Sequence, residues 1–251
     1  MRTIQIILLV AILVGVAYCV KSLRALHRKT SSRFERNSRE LTAASKDIKA
    51  SILQSYRQSE AFSQLVTLLK FSAPIPPTRS WAASPDLLLT VADLVRTHKP
   101  RLVVELGSGV STLIVAKSGA KKVISMDNSE EFAGKTRALL KAHGVRGVEI
   151  RVAELVPHVS GVDWYDTSKF GDLKRIDILI VDGPPGSKDP KARKPALSEL
   201  IERLSPRAVI VIDDVNRDGE RELAKAFAEA LPNHVLTIYP HEKGTAVISP
   251  Q

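Results

Sequence analysis

A strand, a glycine turn and the start of a helix follow one another in residues 101–112, and no other segment constrains the fold as much. Its sequence is RLVVELGSGVST. The apolar residues 102–104 suit a strand that is buried on both faces. Gly107 and Gly109 let the backbone turn sharply and approach a ligand closely, because neither residue has a Cβ. The segment therefore predicts an α/β sheet with a nucleotide-like ligand at the carboxyl edge of this strand.

Three interpretations of the turn are open: an ordinary βα turn, a dinucleotide site, or a site for S-adenosylmethionine (SAM). A dinucleotide site usually has G-x-G-x-x-G, and Thr112 stands where the third glycine would be. Glu105, Gly107 and Gly109 instead give E-x-G-x-G at the end of a strand, the common form in SAM sites. Ser111 and Thr112 lie in the first helical turn, near its free N–H groups. The chain that follows decides among the three.

Strand and helix patterns alternate regularly after the glycine turn. Predicted strands cover residues 122–126, 148–152, 176–181, 208–212, 234–239 and 245–249, and predicted helices cover 130–143, 195–204 and 220–231. This alternation predicts a parallel sheet with helices on both faces. The last two strands are separated by only a short link, which predicts an antiparallel hairpin at one edge.

Polar residues follow the carboxyl ends of four further strands. They are Asp127–Asn128, Ala153–Glu154, Asp182 and Asp213–Asp214. Open α/β sheets bind ligands at this edge. Asp127 lies 18 residues beyond Gly109, and a carboxylate there can accept hydrogen bonds from both ribose hydroxyls. The alternative is that Asp127 caps the next helix, although Asn128 or Ser129 could take that role.

This ordered set of strand ends resembles class I SAM-dependent methyltransferases over roughly residues 85–250. The resemblance is carried by Glu105-Leu106-Gly107-Ser108-Gly109, Asp127, Ala153-Glu154 and Asp182-Gly183-Pro184-Pro185-Gly186. It implies an α/β, Rossmann-like, seven-stranded and mostly parallel sheet of order 3-2-1-4-5-7-6, with strand 7 antiparallel. It also implies a SAM site made by Glu105, Gly107, Ser108, Gly109, Ser111, Thr112, Asp127, Asn128, Ala153, Glu154 and Asp182.

Within that class the chain is most similar to the small metal-dependent O-methyltransferases of the catechol, caffeoyl-CoA and macrocin types. The resemblance implies a divalent cation, Mg²⁺ or Mn²⁺, on Asp182, Asp213 and Asp214, with Asp182 also catalytic. Three converging carboxylates would repel one another unless they were protonated or bound to a cation. In the catechol type an Asn stands where this chain has Asp214, and a lysine base stands where it has Pro185. The general base is therefore unassigned, and helix or turn capping is the alternative role for Asp213 and Asp214.

The function that these residues imply is SAM-dependent O-methylation of a small-molecule hydroxyl or a sugar- or lipid-linked hydroxyl. Two other classes stay open. One is a catalytically degenerate, membrane-tethered scaffold, and the other is an NAD-binding oxidoreductase. No nucleic-acid partner is expected, because few aromatic residues interleave with the basic ones and no recognition motif is visible.

Residues 1–20 are predicted to be a transmembrane signal anchor. The apolar run Ile4–Val20 is broken only by Gln5, and its 17 residues reach the lower limit for a spanning helix. The alternatives are a signal peptide, cleaved after Gly15-x-Ala17, and a lipoprotein, to which Tyr18 before Cys19 is a poor match. Only Arg2 precedes the run, whereas several basic residues follow it. The positive-inside rule then predicts a single-pass protein of the cell membrane whose catalytic domain faces the cytoplasm.

Residues 21–84 are predicted to be a basic helical linker that ends in a Pro-rich segment. Residues 21–60 carry ten Lys or Arg and four Asp or Glu. Phe34, Leu41 and Ile48 recur at seven-residue spacing, as in a coiled coil. They predict a homodimer through residues 21–70 or packing of this stripe on the chain's own globular domain. The catalytic domain is predicted over residues 85–251.

Overall fold

The computed structural model describes residues 2–186 and 189–251, and the chain divides into two compact units between Ser55 and Tyr56. The helices are α1 (Arg2–Leu69), α2 (Pro85–His98), α3 (Val110–Lys117), α4 (Glu130–Ala142), α5 (Pro195–Leu200) and α6 (Asp218–Ala230), with 3₁₀ turns at Thr167–Phe170 and Ile201–Arg203. The strands are β1 (Leu102–Leu106), β2 (Lys122–Asp127), β3 (Val148–Val152), β4 (Leu155–Pro157), β5 (Asp163–Tyr165), β6 (Ile176–Val181), β7 (Leu204–Asp213), β8 (His234–Tyr239) and β9 (Thr245–Pro250).

The first unit is helical throughout the residues that the structure describes, which agrees with the long helix predicted from the sequence. The length and apolar composition of α1 would allow it to cross a membrane. A signal sequence near an N-terminus meets the same criteria of length and composition. Phe34, Leu41 and Ile48 are exposed. The homodimer through residues 21–70 stays a prediction.

The second unit contains a seven-stranded sheet of order β3-β2-β1-β6-β7-β9-β8. All pairs are parallel except β7 with β9 and β9 with β8. When the sheet strands are numbered along the chain, this is the order 3-2-1-4-5-7-6 with strand 7 antiparallel. The predicted Rossmann-like methyltransferase fold is therefore confirmed.

The sheet is buried on both faces because its central strands are apolar at consecutive positions. In β1, Val104 and Leu106 face one hydrophobic cluster, whereas Val103 faces the other. Successive side chains of a strand point to opposite faces, so a strand covered on both sides needs this unbroken run.

The compact unit begins earlier than the predicted boundary at residue 85. The last part of α1 belongs to it, and Leu65 and Leu69 are buried in the same cluster as Leu88 of α2. These two leucines lie one helical turn apart and form an apolar face that needs cover. Residues 56–84 are therefore structurally part of this unit.

A small antiparallel hairpin, β4 with β5, lies outside the main sheet and has no counterpart in the predicted elements. Each of its strands has three residues, and β4 contains Pro157, so neither shows a readable alternation. The hairpin buries Trp164 and Tyr165, which join the larger hydrophobic cluster.

Candidate active site

The carboxyl ends of β1, β2, β3, β6 and β7 lie at one edge of the sheet, because these strands run parallel. All of the residues predicted to bind SAM or a cation lie at these ends or in the loops and helix starts that follow them. The structure thus brings the predicted residues to one edge, and two groups are distinguished there, around the glycine turn and around Asp182.

The glycine turn lies directly against the backbone that follows β6. Gly107 has φ +96°, and a Cβ at this position would lie 3.0 Å from the Asp182 carbonyl oxygen. The Gly107 N–H donates to the Met126 carbonyl at 2.8 Å, and the Asp182 N–H donates to the Leu106 carbonyl at 3.0 Å. Glycine is required at 107 both for its conformation and for this close approach.

Glu105 stabilises the glycine turn from its buried side. It is fully buried, and its Oε2 accepts hydrogen bonds from Thr112 Oγ1 at 2.5 Å and Ser125 Oγ at 2.8 Å. The same Thr112 hydroxyl accepts from the Gly109 N–H at 3.0 Å. Burial raises the pKa of Glu105, and hydrogen bonds from neighbouring hydroxyls, including that of Ser111, oppose the rise. In these contacts Glu105 and Thr112 shape the turn, and direct contact with a cofactor stays a prediction.

Asp127 holds the other side of the glycine turn. Its Oδ2 accepts from the Ser108 N–H at 3.2 Å and from Ser108 Oγ at 2.5 Å, and its Oδ1 accepts from the Ser129 N–H at 2.9 Å. The N-cap of α4 is Ser129, whose side chain accepts from the Phe132 N–H. The N-cap of α4 is therefore Ser129 and not Asp127, and a hydrogen bond from a ribose to Asp127 stays a prediction.

The end of β3 lies beside Asp127. The Ala153 N–H donates to the Asp127 carbonyl at 2.8 Å, and Ala153 is buried. Glu154 is exposed and Asn128 is half-buried. These three residues border the predicted cofactor pocket on the side away from β6.

Asp182, Asp213 and Asp214 form one acid cluster, which joins the end of β6 to the end of β7. One carboxylate oxygen from each lies within 4.8 Å of those from the other two. Asp213 and Asp214 are 1% and 4% exposed, respectively. Asp214 has φ +65°, a left-handed conformation that Asp adopts more readily than most residues.

Burial and mutual repulsion change the acidity of this cluster. Burial raises the pKa of Asp213 to about 6; Asp214 adds to the rise and Lys243 opposes it. The pKa of Asp182 is also raised well above its usual value, first by burial and then by the charge of Asp213, against the opposing effect of Arg193. Both Asp213 carboxylate oxygens lack a hydrogen-bond partner among the described residues.

Arg193 enters the acid cluster from the loop before α5, and it is only 5% exposed. Its Nη2 lies 3.3 Å from Asp182 Oδ1 and 2.9 Å from Asp214 Oδ2. The other nitrogens donate to the Asp213 carbonyl at 3.2 Å and the Pro184 carbonyl at 3.3 Å. The basic composition of the segment before α5 does not reveal which of its cations turns inward.

Three more residues of the cluster are not evident from the sequence. Lys243 and Arg217 contact its acids, and Glu220, which is buried, is a fourth acid, 3.6 Å from Arg193 Nε. They come from α6, from the loop before it and from the β8–β9 turn, so only the tertiary fold brings them to Asp182.

The donor set can be tested against the implied Mg²⁺ or Mn²⁺. Carboxylate oxygens are the ligands that these ions prefer. However, Arg193 engages Asp182 and Asp214, and Lys243 Nζ lies 3.6 Å from Asp213 Oδ2 and 4.0 Å from Asp214 Oδ1. A divalent cation therefore does not fit beside the three acids in this arrangement unless Lys243 moves. The cation stays a prediction.

Tyr165 is a further residue of the site that the sequence does not reveal. Its hydroxyl is buried, lies where a Cβ on Gly183 would be, and has no hydrogen-bond partner among the described residues. Burial raises the pKa of Tyr165, as do the nearby charges of Asp127 and Asp182. It is therefore a neutral hydroxyl between the glycine turn and the acid cluster.

Residues 104–215 match the sequence profile of a family described as a methyltransferase domain. A curated relative, protein-L-isoaspartate O-methyltransferase 2 of Archaeoglobus fulgidus, is 31% identical over 136 residues, 52% of this chain and 52% of the relative. The chain thus matches about half the length of that relative.

Solved structures extend the similarity to most of the chain at the level of the fold. An O-methyltransferase from Bacillus cereus, solved with SAH, has a TM-score of 0.55 and 15% identity, covering 80% of this chain and 97% of its own. A SAH-bound methyltransferase from Podospora anserina has a TM-score of 0.56 and 15% identity, covering 81% and 95%. The profile match over residues 104–215 and the similarity of fold both agree with the resemblance to class I methyltransferases that the sequence shows.

Proposed function

We propose that this protein is a SAM-dependent O-methyltransferase whose acceptor is a small-molecule hydroxyl or a sugar- or lipid-linked hydroxyl. One observation carries the proposal: the glycine turn lies against the Asp182 backbone, so the predicted cofactor pocket and the acid cluster are adjacent. The methyl donor and the acceptor oxygen have to meet at such a junction.

SAM would be held by the loops that end β1, β2 and β3. The bound sulfonium supplies an activated methyl group, so the protein contributes mainly alignment, worth up to about 7–11 kcal/mol of the barrier. We infer that the Asp127 carboxylate accepts hydrogen bonds from the ribose hydroxyls. Gly107 keeps the glycine turn against the Asp182 backbone, beside the proposed pocket. Asp182 lies between this pocket and the remaining acids, where it can orient the acceptor hydroxyl.

Transfer of labelled methyl from SAM in membrane extracts tests the activity. We expect the wild type to label an acceptor and Asp182→Ala to lower the rate by about 100-fold or more, since one misaligned group has effects of this size. Asp93→Ala, an exposed position on α2, is the matched control and should keep the wild-type rate. Equal labelling by Asp182→Ala and the wild type would contradict the role of Asp182.

The stability of the product to mild alkali distinguishes a hydroxyl acceptor from a carboxyl acceptor. A methyl ether survives mild alkali, whereas a methyl ester is hydrolysed and releases methanol. An alkali-stable label supports a hydroxyl acceptor. An alkali-labile label would instead indicate a carboxyl group, as the name of the Archaeoglobus fulgidus relative implies for that protein.

Calorimetric titration distinguishes the two other function classes. SAM binding with methyl transfer supports the proposal. SAM binding without transfer to any acceptor would indicate a degenerate scaffold, and binding of NAD(H) in place of SAM would indicate an oxidoreductase. Whether a divalent cation binds Asp182, Asp213 and Asp214 is tested separately, by measuring methyl transfer by the purified enzyme before and after chelation.

The proposed location is the cell membrane, with a single-pass anchor in residues 1–20 and the catalytic domain in the cytoplasm. The support is the length and apolar composition of the N-terminal part of α1 and the excess of basic residues after it. Deleting residues 1–20 is expected to move the protein from the membrane fraction to the soluble fraction without loss of fold.

Protease accessibility tests the orientation. In intact cells the catalytic domain should be protected, and it should be digested only after lysis. Digestion of residues 21–251 from outside the cell would overturn the proposed orientation. Recovery of the deletion variant in the membrane fraction would show that residues 1–20 are not the anchor.

A further inference from the structure

Lys243 contacts Asp213 and Asp214 on one side of the acid cluster, which we call its outer face. Its Nζ is 3.6 Å from Asp213 Oδ2 and 4.0 Å from Asp214 Oδ1, and it donates a hydrogen bond to the Ala82 carbonyl at 3.1 Å. Arg193 approaches the cluster through other oxygens, those of Asp182 and Asp214. Within the described residues, Lys243 is the one cation within 4.0 Å of the Asp213 carboxylate.

The backbone on both sides of Lys243 is fixed, so its position is not that of a freely moving surface lysine. The Asn216 N–H donates to the Lys243 carbonyl and the Val215 N–H to the Gly244 carbonyl, both at 3.1 Å. Gly244 has φ +75°, and a Cβ there would collide with Asn216. The turn is thus attached directly to the loop that follows Asp214.

A second attachment holds the same turn from the other side. The Glu242 N–H donates to Asp86 Oδ2 at 2.9 Å, and Gln58 Nε2 donates to the same oxygen at 2.7 Å. Burial alone would raise the pKa of Asp86, but hydrogen bonds from Ser84 and Gln58 bring it below its usual value. The carboxylate is therefore ionised at neutral pH and keeps the turn in place.

The charges around the cluster nearly balance without an added ion. Four buried or half-buried acids contact three basic side chains; the acids are Asp182, Asp213, Asp214 and Glu220, and the bases are Arg193, Arg217 and Lys243. Asp214 is contacted by all three basic side chains, so its negative charge is met within the protein.

We infer that Lys243 is a positioning residue that supplies the resident cation on the outer face of the acid cluster, in place of a divalent metal. Its ammonium neutralises Asp213 and Asp214. Through Ala82 it also ties the Pro-rich segment, residues 70–84, to the edge of the site. The inference rests on the proposed function only for its catalytic meaning, because the charge arrangement is formed by side chains of this chain alone.

The test uses Mn²⁺ alone as the probe, with the full-length protein in detergent and free Mn²⁺ followed by electron paramagnetic resonance. The wild type is expected to bind Mn²⁺ weakly or not at all. Lys243→Met keeps the carbon chain and removes the charge, so three carboxylates are left with an open outer face. We expect the Mn²⁺ affinity of this variant to rise by about tenfold or more, because affinity for such ions follows ligand charge.

Two controls separate a charge effect from a structural one. Lys243→Arg keeps the positive charge and should bind Mn²⁺ no better than the wild type. Lys225→Met removes an exposed lysine of α6 and should change nothing. Thermal unfolding of each variant shows that the fold is retained, and a role in stability alone would not create a Mn²⁺ site.

The inference is overturned if the wild type binds one Mn²⁺ tightly and Lys243→Met binds it equally or less well. That result would establish the three acids as a metal site that Lys243 does not fill. Failure of the proposed function is a separate outcome, since it appears as absent methyl transfer whatever the Mn²⁺ titration shows.

Discussion

Replacing Arg193 with methionine is expected to lower the free energy of unfolding by about 3–5 kcal/mol, the usual cost of removing one partner from a buried ion pair. Arg193 is 5% exposed, and its guanidinium contacts Asp182 and Asp214 while also donating to the Asp213 carbonyl. Without it, ionised carboxylates would remain buried with less compensation. The measurement is urea denaturation at pH 7.5, which is above the raised pKa of Asp213.

Lys194→Met is the matched control, because Lys194 is exposed and adjacent in sequence. It should leave the unfolding midpoint unchanged. Arg193→Lys should fall between the two variants, since a lysine keeps the charge but lacks the planar fork that reaches several acceptors. An Arg193→Met protein as stable as the wild type would show that the acids are neutral or separately compensated.

Replacing Gly107 with valine is expected to weaken SAM binding by about 100-fold, equivalent to about 2.8 kcal/mol. A β-branched residue is strained at φ +96°, and its Cβ would meet the Asp182 carbonyl oxygen at 3.0 Å. The turn would have to move away from β6, and the cofactor pocket would move with it. Isothermal titration calorimetry with SAM measures the effect.

Gly119→Val is the control that separates the effect of the steric clash with Asp182 from the effect of backbone strain at a positive φ. Gly119 also has a positive φ, +104°, but a Cβ there meets nothing within 4 Å. Both variants therefore carry conformational strain, and only the change at Gly107 disturbs the contact with Asp182. If both folded variants bind SAM with wild-type affinity, the pocket assigned to this turn is wrong.

The main sheet could be predicted because its signals are local. A strand covered on both faces needs an unbroken apolar run, as in β1 and β6. An α-helix follows each of β1, β2, β6 and β7. The strand order came from the resemblance, since periodicity alone does not rank neighbours. The β4–β5 hairpin was missed because three-residue strands carry no usable pattern.

The candidate site could be predicted only in part, because the topology places residues that follow strands but not residues that lie in loops. Asp127, Asp182 and Asp213 follow strands, so their position at the carboxyl edge is implied by the topology. Arg193 and Lys243 reach the same place from a loop and a hairpin turn, and long charged side chains in loops usually point to water. Their inward orientation depends on the buried acids they meet, which sequence spacing does not encode.

The position of the β8–β9 turn near the end of the chain has a consequence for the order in which the site is completed during synthesis. Asp182, Asp213 and Asp214 leave the ribosome before the β8–β9 turn, because synthesis runs from the amino end. Arg193 can join the acids as soon as β7 pairs with β6, but Lys243 arrives only with the last two strands of the sheet. Until then Asp213 has no cation of its own within 4.0 Å among the described residues. The cation that contacts Asp213 therefore becomes available only with the strand pair that completes the sheet, in which β9 lies between β7 and β8.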